Sequence, residues 1–135
     1  MEGLQIVSLK KLNSIKGSLV AAESEKDFSF LSKRIFFITS NKGDKRGKHA
    51  HKEHSQFMIC AQGSCSLTFT NGFEKENILL KNNDIGVEVK PGIWGEQEYL
   101  EDNTVLIVLS DFHFNENDYL RDYEDFKSFI SNKSL

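Results

Sequence analysis

Short runs of apolar and β-branched residues recur about every ten residues along most of the chain, separated by polar turn residues. Residues 66–70 alternate polar and apolar side chains, which is typical of a strand with one face in water. The pattern predicts strands over residues 4–9, 18–23, 34–39, 48–52, 56–61, 64–70, 76–81, 85–89 and 104–109. Many short strands at this spacing indicate an antiparallel sandwich or barrel.

The last part of the chain departs from this pattern. Its apolar residues recur at intervals of three and four, which indicates one face of a helix. These residues are Leu120, Tyr123, Phe126, Phe129 and Ile130. Asn117 or Asp118 is predicted to be the N-cap. We interpret the helix as a lid packed on the sheet rather than as a partner-binding helix.

Length and composition narrow the function classes. A chain of 135 residues is predicted to form one domain over residues 1–135. A net charge of −3 argues against binding to nucleic acid. The apolar runs are too short to span a bilayer, and the first residues do not resemble a secretory signal. Cys60 and Cys65 are too few for a disulfide framework, so we expect packing thiols in a reducing cytoplasm.

Three of the four histidines lie within six residues of one another. His49 and His51 are two positions apart on a predicted strand and should point to the same face. Burying two imidazoles without partners is costly, so this pair indicates a functional site. His54 is an odd number of positions away, and we expect it to point to the opposite face, towards solvent.

The histidines stand in a spacing that resembles the first cupin motif. Its positions are occupied by Gly43, His49, His51, Gln56 and Gly63, and residues 84–96 resemble the second motif. This resemblance implies a small β-jelly-roll barrel, in agreement with the predicted strands.

The same motifs bear on metal binding. Metal-binding cupins use an acid where this chain has Gln56, and a histidine that the second motif lacks here. A neutral amide is a poor ligand for iron, manganese or zinc. Glu96 is an alternative carboxylate ligand, which would complete a set of two histidines and one carboxylate. We nevertheless expect neither a metal nor another cofactor.

Several stretches together resemble the nucleotide-sugar 3,4-ketoisomerases, the WxcM-like cupins of bacteria. They are residues 33–38, 46–52, 56–64, 87–94 and 118–123. The resemblance implies a cytoplasmic, metal-free homodimer, often with swapped N-terminal strands. It also implies a dTDP-linked keto sugar as substrate and a role in deoxysugar synthesis for surface glycans. No nucleic acid or membrane partner is implied.

The resemblance also implies roles for individual residues. His49 would be the base that moves the keto group from C4 to C3 through an enediolate, and His51 would orient the sugar or shuttle protons. An imidazole suits such transfers near neutral pH. The expected substrate-binding residues are Lys16, Arg34, Arg46, Trp94 and Arg121.

The chain departs from the family pattern where the hexose is expected. Gly95 replaces a histidine or arginine, Phe36 and Phe37 stand where tyrosines are frequent, and Lys16 replaces a tyrosine or arginine. Two alternatives therefore stay open beside the isomerase. One is an epimerase or other enzyme acting on a related nucleotide sugar, and the other is a non-catalytic or metal-dependent binding cupin.

Overall fold

Residues 1–133 are described by a computed structural model, which contains twelve strands, a short 3₁₀ helix and one α-helix. The strands are β1 (Leu4–Ser8), β2 (Lys10–Ser14), β3 (Gly17–Ala21), β4 (Arg34–Ser40), β5 (Lys45–His51), β6 (Gln56–Gln62), β7 (Cys65–Thr70), β8 (Lys75–Leu80), β9 (Ile85–Val89), β10 (Trp94–Tyr99), β11 (Thr104–Ser110) and β12 (Tyr119–Leu120). The 3₁₀ helix spans Glu116–Asp118 and helix α1 spans Tyr123–Lys133.

Two five-stranded antiparallel sheets form the body of the molecule. The first has the order β1-β9-β6-β11-β4, and the second has the order β12-β5-β10-β7-β8. Because neighbours in these sheets are distant in the chain, the connections cross between the sheets, as in a jelly roll. The two sheets and the single helix confirm the predicted all-β jelly-roll class with a C-terminal helix.

The main core lies between the two sheets. Alternate residues of β7 and β11 are buried, as the period of two in a strand requires. The core residues include Met58, Cys60, Cys65, Leu67, Val87, Tyr99, Leu106 and Val108. Both cysteines are free and buried, and burial raises the pKa of each thiol. They are packing groups, as predicted.

The outer face of each sheet is covered by a separate segment. Residues 22–30 lay Phe28 and Phe30 against Phe57 of the first sheet. Helix α1 lays Phe126 on the second sheet, where it meets Ala50. The helix is therefore a lid on the sheet, as predicted. No helix within residues 1–133 is both long and apolar enough to cross a membrane.

The start of the helix differs from the prediction. Asn117 and Asp118 lie in the 3₁₀ helix, and Leu120 lies in β12 rather than on the helix. Asp122 acts as the cap instead, since its carboxylate accepts a hydrogen bond from the Asp125 amide at 3.1 Å. The strand pairing of β12 with β5 takes up the residues that periodicity alone gave to the helix.

Strands β2 and β3 form a hairpin that pairs with neither large sheet. Every residue of β2 is exposed, which explains why the apolar pattern did not predict it. The hairpin nevertheless carries exposed apolar side chains, namely Leu12, Leu19 and, at its turn, Ile15. These side chains form an exposed apolar patch at the N-terminal end of the molecule.

Candidate active site

A small cavity of about 20 Å³ lies between the two sheets, and the three clustered histidines line it. Gln56 and Met58 of β6 form one wall, and Gly95 of β10 forms part of another. A larger mouth of about 330 Å³ adjoins the cavity and shares several of its lining residues. His49 lines both the cavity and the mouth, so its imidazole stands at the boundary between them.

A β-bulge at Gly47 and Lys48 sets the direction of the histidines. His49 pairs with Gly95 and Gly47 pairs with Glu96, so Lys48 has no partner on β10. Gly47 has φ of +87° and Lys48 has φ of +51°. A Cβ on Gly47 would lie 3.2 Å from the Gly95 carbonyl oxygen, so glycine is required there on both grounds.

His49 has one ring nitrogen committed and one available. Its Nδ1 lies 2.9 Å from the carbonyl oxygen of Gly47. A carbonyl can only accept, so Nδ1 carries the hydrogen and Nε2 keeps its lone pair. Burial lowers the pKa of His49, with the Arg121 guanidinium contributing in the same direction. The ring is therefore neutral at neutral pH, and Nε2 can accept a proton.

His51 has the same arrangement with a carboxylate in place of the carbonyl. Its Nδ1 lies 2.9 Å from Oδ2 of Asp118. Its Nε2 is buried and has no hydrogen-bond partner within residues 1–133. Burial, reinforced by neighbouring His49, lowers the pKa of His51 to about 4 despite the carboxylate. The edge-to-face rings of His49 and His51, with centroids 5.1 Å apart, confirm that the two share one face.

The prediction for His54 was wrong. His54 is only 3% exposed, and it stacks between the rings of His51 and Phe112 at centroid distances of 5.6 and 4.5 Å. Its Nδ1 lies 3.1 Å from Oδ2 of Asp118. The alternation argument failed because β5 ends at His51, so the chain turns before it reaches His54.

The ring of Tyr119 packs against both His49 and His51. Its ring lies 5.1 Å from that of His49 and 4.5 Å from that of His51, between centroids. It reaches this position because β12 pairs with β5, with Tyr119 opposite His51. Neither Asp118 nor Tyr119 was assigned a role in the site from the sequence, although both belong to a stretch that carries the family resemblance.

Two of the predicted arginines lie at the mouth of the cavity. Arg46 and Arg121 both line it. Arg121 forms a paired contact with Glu116 at 2.8 and 2.9 Å and stacks on Tyr119 at 4.1 Å. That contact raises the pKa of Arg121 and lowers the pKa of Glu116. The charge of Arg121 is thus already paired with Glu116, and Arg46 adds a positive charge at the mouth.

Arg34, unlike the other two arginines, does not line the mouth. Its guanidinium lies over the rings of Phe36 and Phe114 at 4.5 and 5.2 Å. Phe36 and Phe37 line the mouth, but the Phe37 side chain is largely exposed. The structure therefore brings Arg34 near the rim through aromatic stacking, without bringing it to the cavity lining.

Two predicted sugar-binding residues lie away from the cavity in the single chain. Trp94 is buried under helix α1 against Phe126, and its indole N–H donates to Glu96 Oε2 at 3.0 Å. It packs the lid and does not line the pocket, which corrects its predicted role. The hydrogen bond from the Trp94 indole holds the Glu96 carboxylate towards the indole ring. Lys16 is exposed at the β2–β3 turn.

Two buried amides line the cavity and received no binding role from the sequence. Gln56 occupies the position of the missing acid. Gln97 accepts a hydrogen bond at Oε1 from the hydroxyl of Tyr99 at 2.7 Å. Because that phenol is fully buried and must donate, the amide N–H groups of Gln97 are left for the cavity that it lines.

The described residues include one group spaced as metal ligands are. It comprises His51, His54 and Asp118, whose candidate ligand atoms lie within 4.8 Å of one another. Both histidines face the carboxylate with Nδ1 at hydrogen-bond distance. These distances fit N–H groups beside a carboxylate acceptor, so the donor set is already used within the protein.

Comparisons with known proteins agree with this geometry. A family model described as FdtA: WxcM-like, C-terminal matches residues 2–131. The TDP-4-oxo-6-deoxy-alpha-D-glucose-3,4-oxoisomerase of Aneurinibacillus thermoaerophilus is 35% identical over 132 residues, which are 97% of this chain and 95% of that protein.

Solved structures agree as well. The sugar 3,4-ketoisomerase QdtA of Thermoanaerobacterium thermosaccharolyticum, in complex with TDP, superposes with a TM-score of 0.94 at 28% identity, over 100% of this chain and 99% of that one. A 3,4-ketoisomerase from Helicobacter canadensis superposes with a TM-score of 0.91 at 35% identity, over 95% and 97% of the two chains. The chain therefore belongs to the FdtA family of WxcM-like proteins and has their cupin-type jelly-roll fold.

Proposed function

We propose that the protein is a nucleotide-sugar 3,4-ketoisomerase that moves the keto group of dTDP-4-keto-6-deoxyglucose from C4 to C3. One observation carries the proposal: two neutral imidazoles line one cavity, each with Nδ1 bound to the protein and Nε2 left as a proton acceptor. Moving a keto group between neighbouring carbons needs a base for the carbon-bound proton and a route for the protons of the two oxygens, and two acceptors in one cavity can supply both. The activity of the 35% identical oxoisomerase supports the same substrate.

His49 is the base that acts on carbon. Its Nε2 removes the C3 proton, the C3–H electron pair forms the C3–C4 double bond, and the carbonyl pair moves onto O4. The resulting imidazolium then returns a proton to C4. The lowered pKa of His49 keeps its acceptor free of protons at neutral pH.

His51 is the group that acts on oxygen. Its Nε2 accepts the proton that leaves O3 as the C3 carbonyl forms, and it delivers a proton to O4. The two transfers together leave both histidines as they began, and the product is an isomer of the substrate. The buried, unpartnered Nε2 of His51 supports this role.

The surrounding polar groups suit the charges on the substrate. The enediolate oxygen needs hydrogen-bond donors, and the amide groups of Gln56 and Gln97 are available in the cavity. The diphosphate needs cations, and Arg46 and Arg121 stand at the mouth. Arg34 can extend this positive rim.

The working enzyme is a cytoplasmic homodimer, and each of its chains forms a single domain. The exposed apolar hairpin β2–β3 supports exchange of N-terminal strands between subunits. Such an exchange would carry Lys16 towards the cavity of the partner subunit, where it could contact the sugar. The two free cysteines support a reducing compartment.

The test is proton NMR of the purified protein with dTDP-4-keto-6-deoxyglucose. We expect the 3-keto sugar to accumulate, and we expect His49→Asn to lower the rate by ~10²–10⁴-fold, the range for losing a general base. The affinity for TDP, measured by calorimetry, should change less than about threefold, since His49 does not hold the diphosphate. The exposed His113 gives a matched control, and His113→Asn should leave the rate unchanged.

Two results would overturn the proposal. One is folded wild-type protein that binds TDP and forms no 3-keto sugar. The other is a His49→Asn variant that isomerises at the wild-type rate, which would remove His49 from the reaction.

A further inference from the structure

We propose that Asp118 is the positioning residue of the site, which holds His51 in the tautomer with hydrogen on Nδ1 so that Nε2 faces the cavity as a proton acceptor. The effect of Asp118 on catalysis rests on the proposed function. The tautomer of His51 can be measured without any substrate.

Asp118 lies at the centre of three N–H groups. Its Oδ1 accepts the backbone N–H of Glu53 at 2.7 Å. Its Oδ2 lies 2.9 Å from Nδ1 of His51 and 3.1 Å from Nδ1 of His54. The residue is only 5% exposed, so water does not compete strongly for these partners. Such a buried carboxylate needs hydrogen-bond donors to replace the water that it loses.

The backbone fixes the carboxylate from both sides. Asp118 ends a 3₁₀ helix whose first turn is capped by the Asn115 side chain. Its carbonyl accepts the N–H of Lys52 at 3.0 Å, directly after β5. The next residue, Tyr119, pairs with His51 across the two strands. The segment that carries the carboxylate is therefore bound to the strand that carries the histidine.

The chemistry of the pair determines the tautomer. An ionised carboxylate can only accept hydrogen bonds, so the nitrogen that faces it carries the hydrogen. The lone pair of His51 is then on Nε2, which has no hydrogen-bond partner within residues 1–133, on a side chain that lines the cavity. When Nε2 accepts a proton during the reaction, the new positive charge lies next to the Asp118 carboxylate, which stabilises it.

The ring of His54 completes the arrangement. It stacks on His51 with an angle of 16° between the rings and is itself covered by Phe112. His51 therefore cannot rotate away from Asp118 without displacing His54. His54 is thus buried beside His51, with its Nδ1 facing the Asp118 carboxylate.

The test is the substitution Asp118→Asn, which keeps the shape of the side chain and removes the charge. An amide presents a donor as well as an acceptor, so it no longer requires hydrogen on Nδ1 of both histidines. We expect ¹⁵N NMR to show His51 largely in the tautomer with hydrogen on Nε2. We expect kcat for the keto sugar to fall by ~10²–10⁴-fold, as when a carboxylate that orients a catalytic histidine is lost, with KM changed less than about threefold.

Asp111→Asn is the matched control. The Asp111 carboxylate accepts the backbone N–H of Ser55 at 2.9 Å, close to the site, but it touches none of the three cavity histidines. An asparagine oxygen can accept the same bond. This variant should keep both the wild-type tautomer and the wild-type kcat.

The outcomes distinguish this inference from the proposed function. If wild-type protein fails to isomerise the sugar, the proposed function is overturned, and the NMR comparison alone decides the positioning role. An unchanged His51 tautomer in folded Asp118→Asn protein would overturn the inference whatever the activity. So would a kcat within threefold of wild type in a variant whose tautomer has changed.

Discussion

At the scale of single residues, burial controls the protonation of the site more than any neighbouring charge. His51 lies beside a carboxylate, which favours the imidazolium, yet its pKa is lowered to about 4 because the ring is desolvated and faces His49. The pKa of His49 is also lowered, and burial of its ring is again the main cause. Both rings are therefore acceptors over the whole neutral range.

This sets the pH dependence of the reaction. We expect kcat/KM to stay level from about pH 8 down to pH 6.5, the usual histidine value, because both acceptors remain neutral. Below that it should fall as His49 is protonated, with a second decrease near pH 4 from His51. Initial rates in buffers of constant ionic strength measure the profile. An acid limb centred above pH 6.5 would contradict the assignment of His49 as a desolvated base.

Gly95 shows how one missing side chain shapes the cavity. It lines the pocket at a position where the family resemblance implies histidine or arginine. A Cβ there would lie 3.1 Å from the ring of Phe69, closer than comfortable contact. The ring of Phe69 therefore fills the space that a side chain at position 95 would occupy. A larger residue would need Phe69 to shift.

At the scale of elements, the helix supports the strand that carries the histidines. Phe126 is fully buried against Ala50, which lies between His49 and His51 in β5. Trp94 of β10 fills the rest of the same contact. The lid thus backs the catalytic strand from the outer face, while the cavity lies on the inner face.

Phe126→Ala should therefore weaken both the fold and the site. Truncating a buried phenylalanine costs about 3–5 kcal/mol of unfolding free energy, and we expect the rate of isomerisation to fall in the protein that remains folded. Urea denaturation followed by circular dichroism measures the first effect. Phe129→Ala is the control, since Phe129 on the same helix is only half-buried and should cost less than half as much. Equal losses in the two variants would contradict the role given to the Phe126 contact.

Prediction from sequence succeeded where burial follows a period. Strands such as β7 and β11 alternate cleanly, so their position and inward faces were readable. The wholly exposed β2 and the polar β10, with Glu96, Gln97 and Glu98 in its centre, were missed because no alternation of apolar residues marks them. Their pairing depends on partners far away in the chain.

The residues of the site also differ in how far the sequence predicted them. His49 and His51 were found because two positions on one strand must share a face. His54, Asp118 and Trp94 were unassigned or misassigned because their surroundings come from segments distant in sequence. A local motif places His49 and His51 together, whereas the contact of His51 with Asp118 depends on tertiary packing.

At the scale of the whole molecule, the N-terminal hairpin has apolar side chains that the rest of the chain leaves uncovered. Leu12, Ile15 and Leu19 are each more than half exposed. The same is true of Ile6 in β1, an edge strand of the first sheet. A second copy that exchanges this region would cover all four.

Light scattering coupled to gel filtration should therefore give twice the mass of one 15.4 kDa chain. The double substitution Leu12→Asp and Leu19→Asp should shift the protein to the monomer, because a charge buried at an interface is costly. Leu79→Asp is the control, since Leu79 is exposed on β8, an edge strand of the second sheet, and should leave the dimer intact. A wild-type monomer at concentrations of about 10 μM would contradict the exchange; stable dimers have much lower dissociation constants.

The contact between Asp118 and His51 joins positions 67 residues apart. During synthesis, the histidine strand leaves the ribosome long before the segment that orients it. A nascent chain can thus form most of the first sheet while its imidazoles still lack their partner. Long-range contacts of this kind close late, since the loop entropy must first be overcome. The contact between His51 and Asp118 therefore forms only when the last quarter of the polypeptide has docked, so incomplete chains carry His49 and His51 without the carboxylate that faces His51.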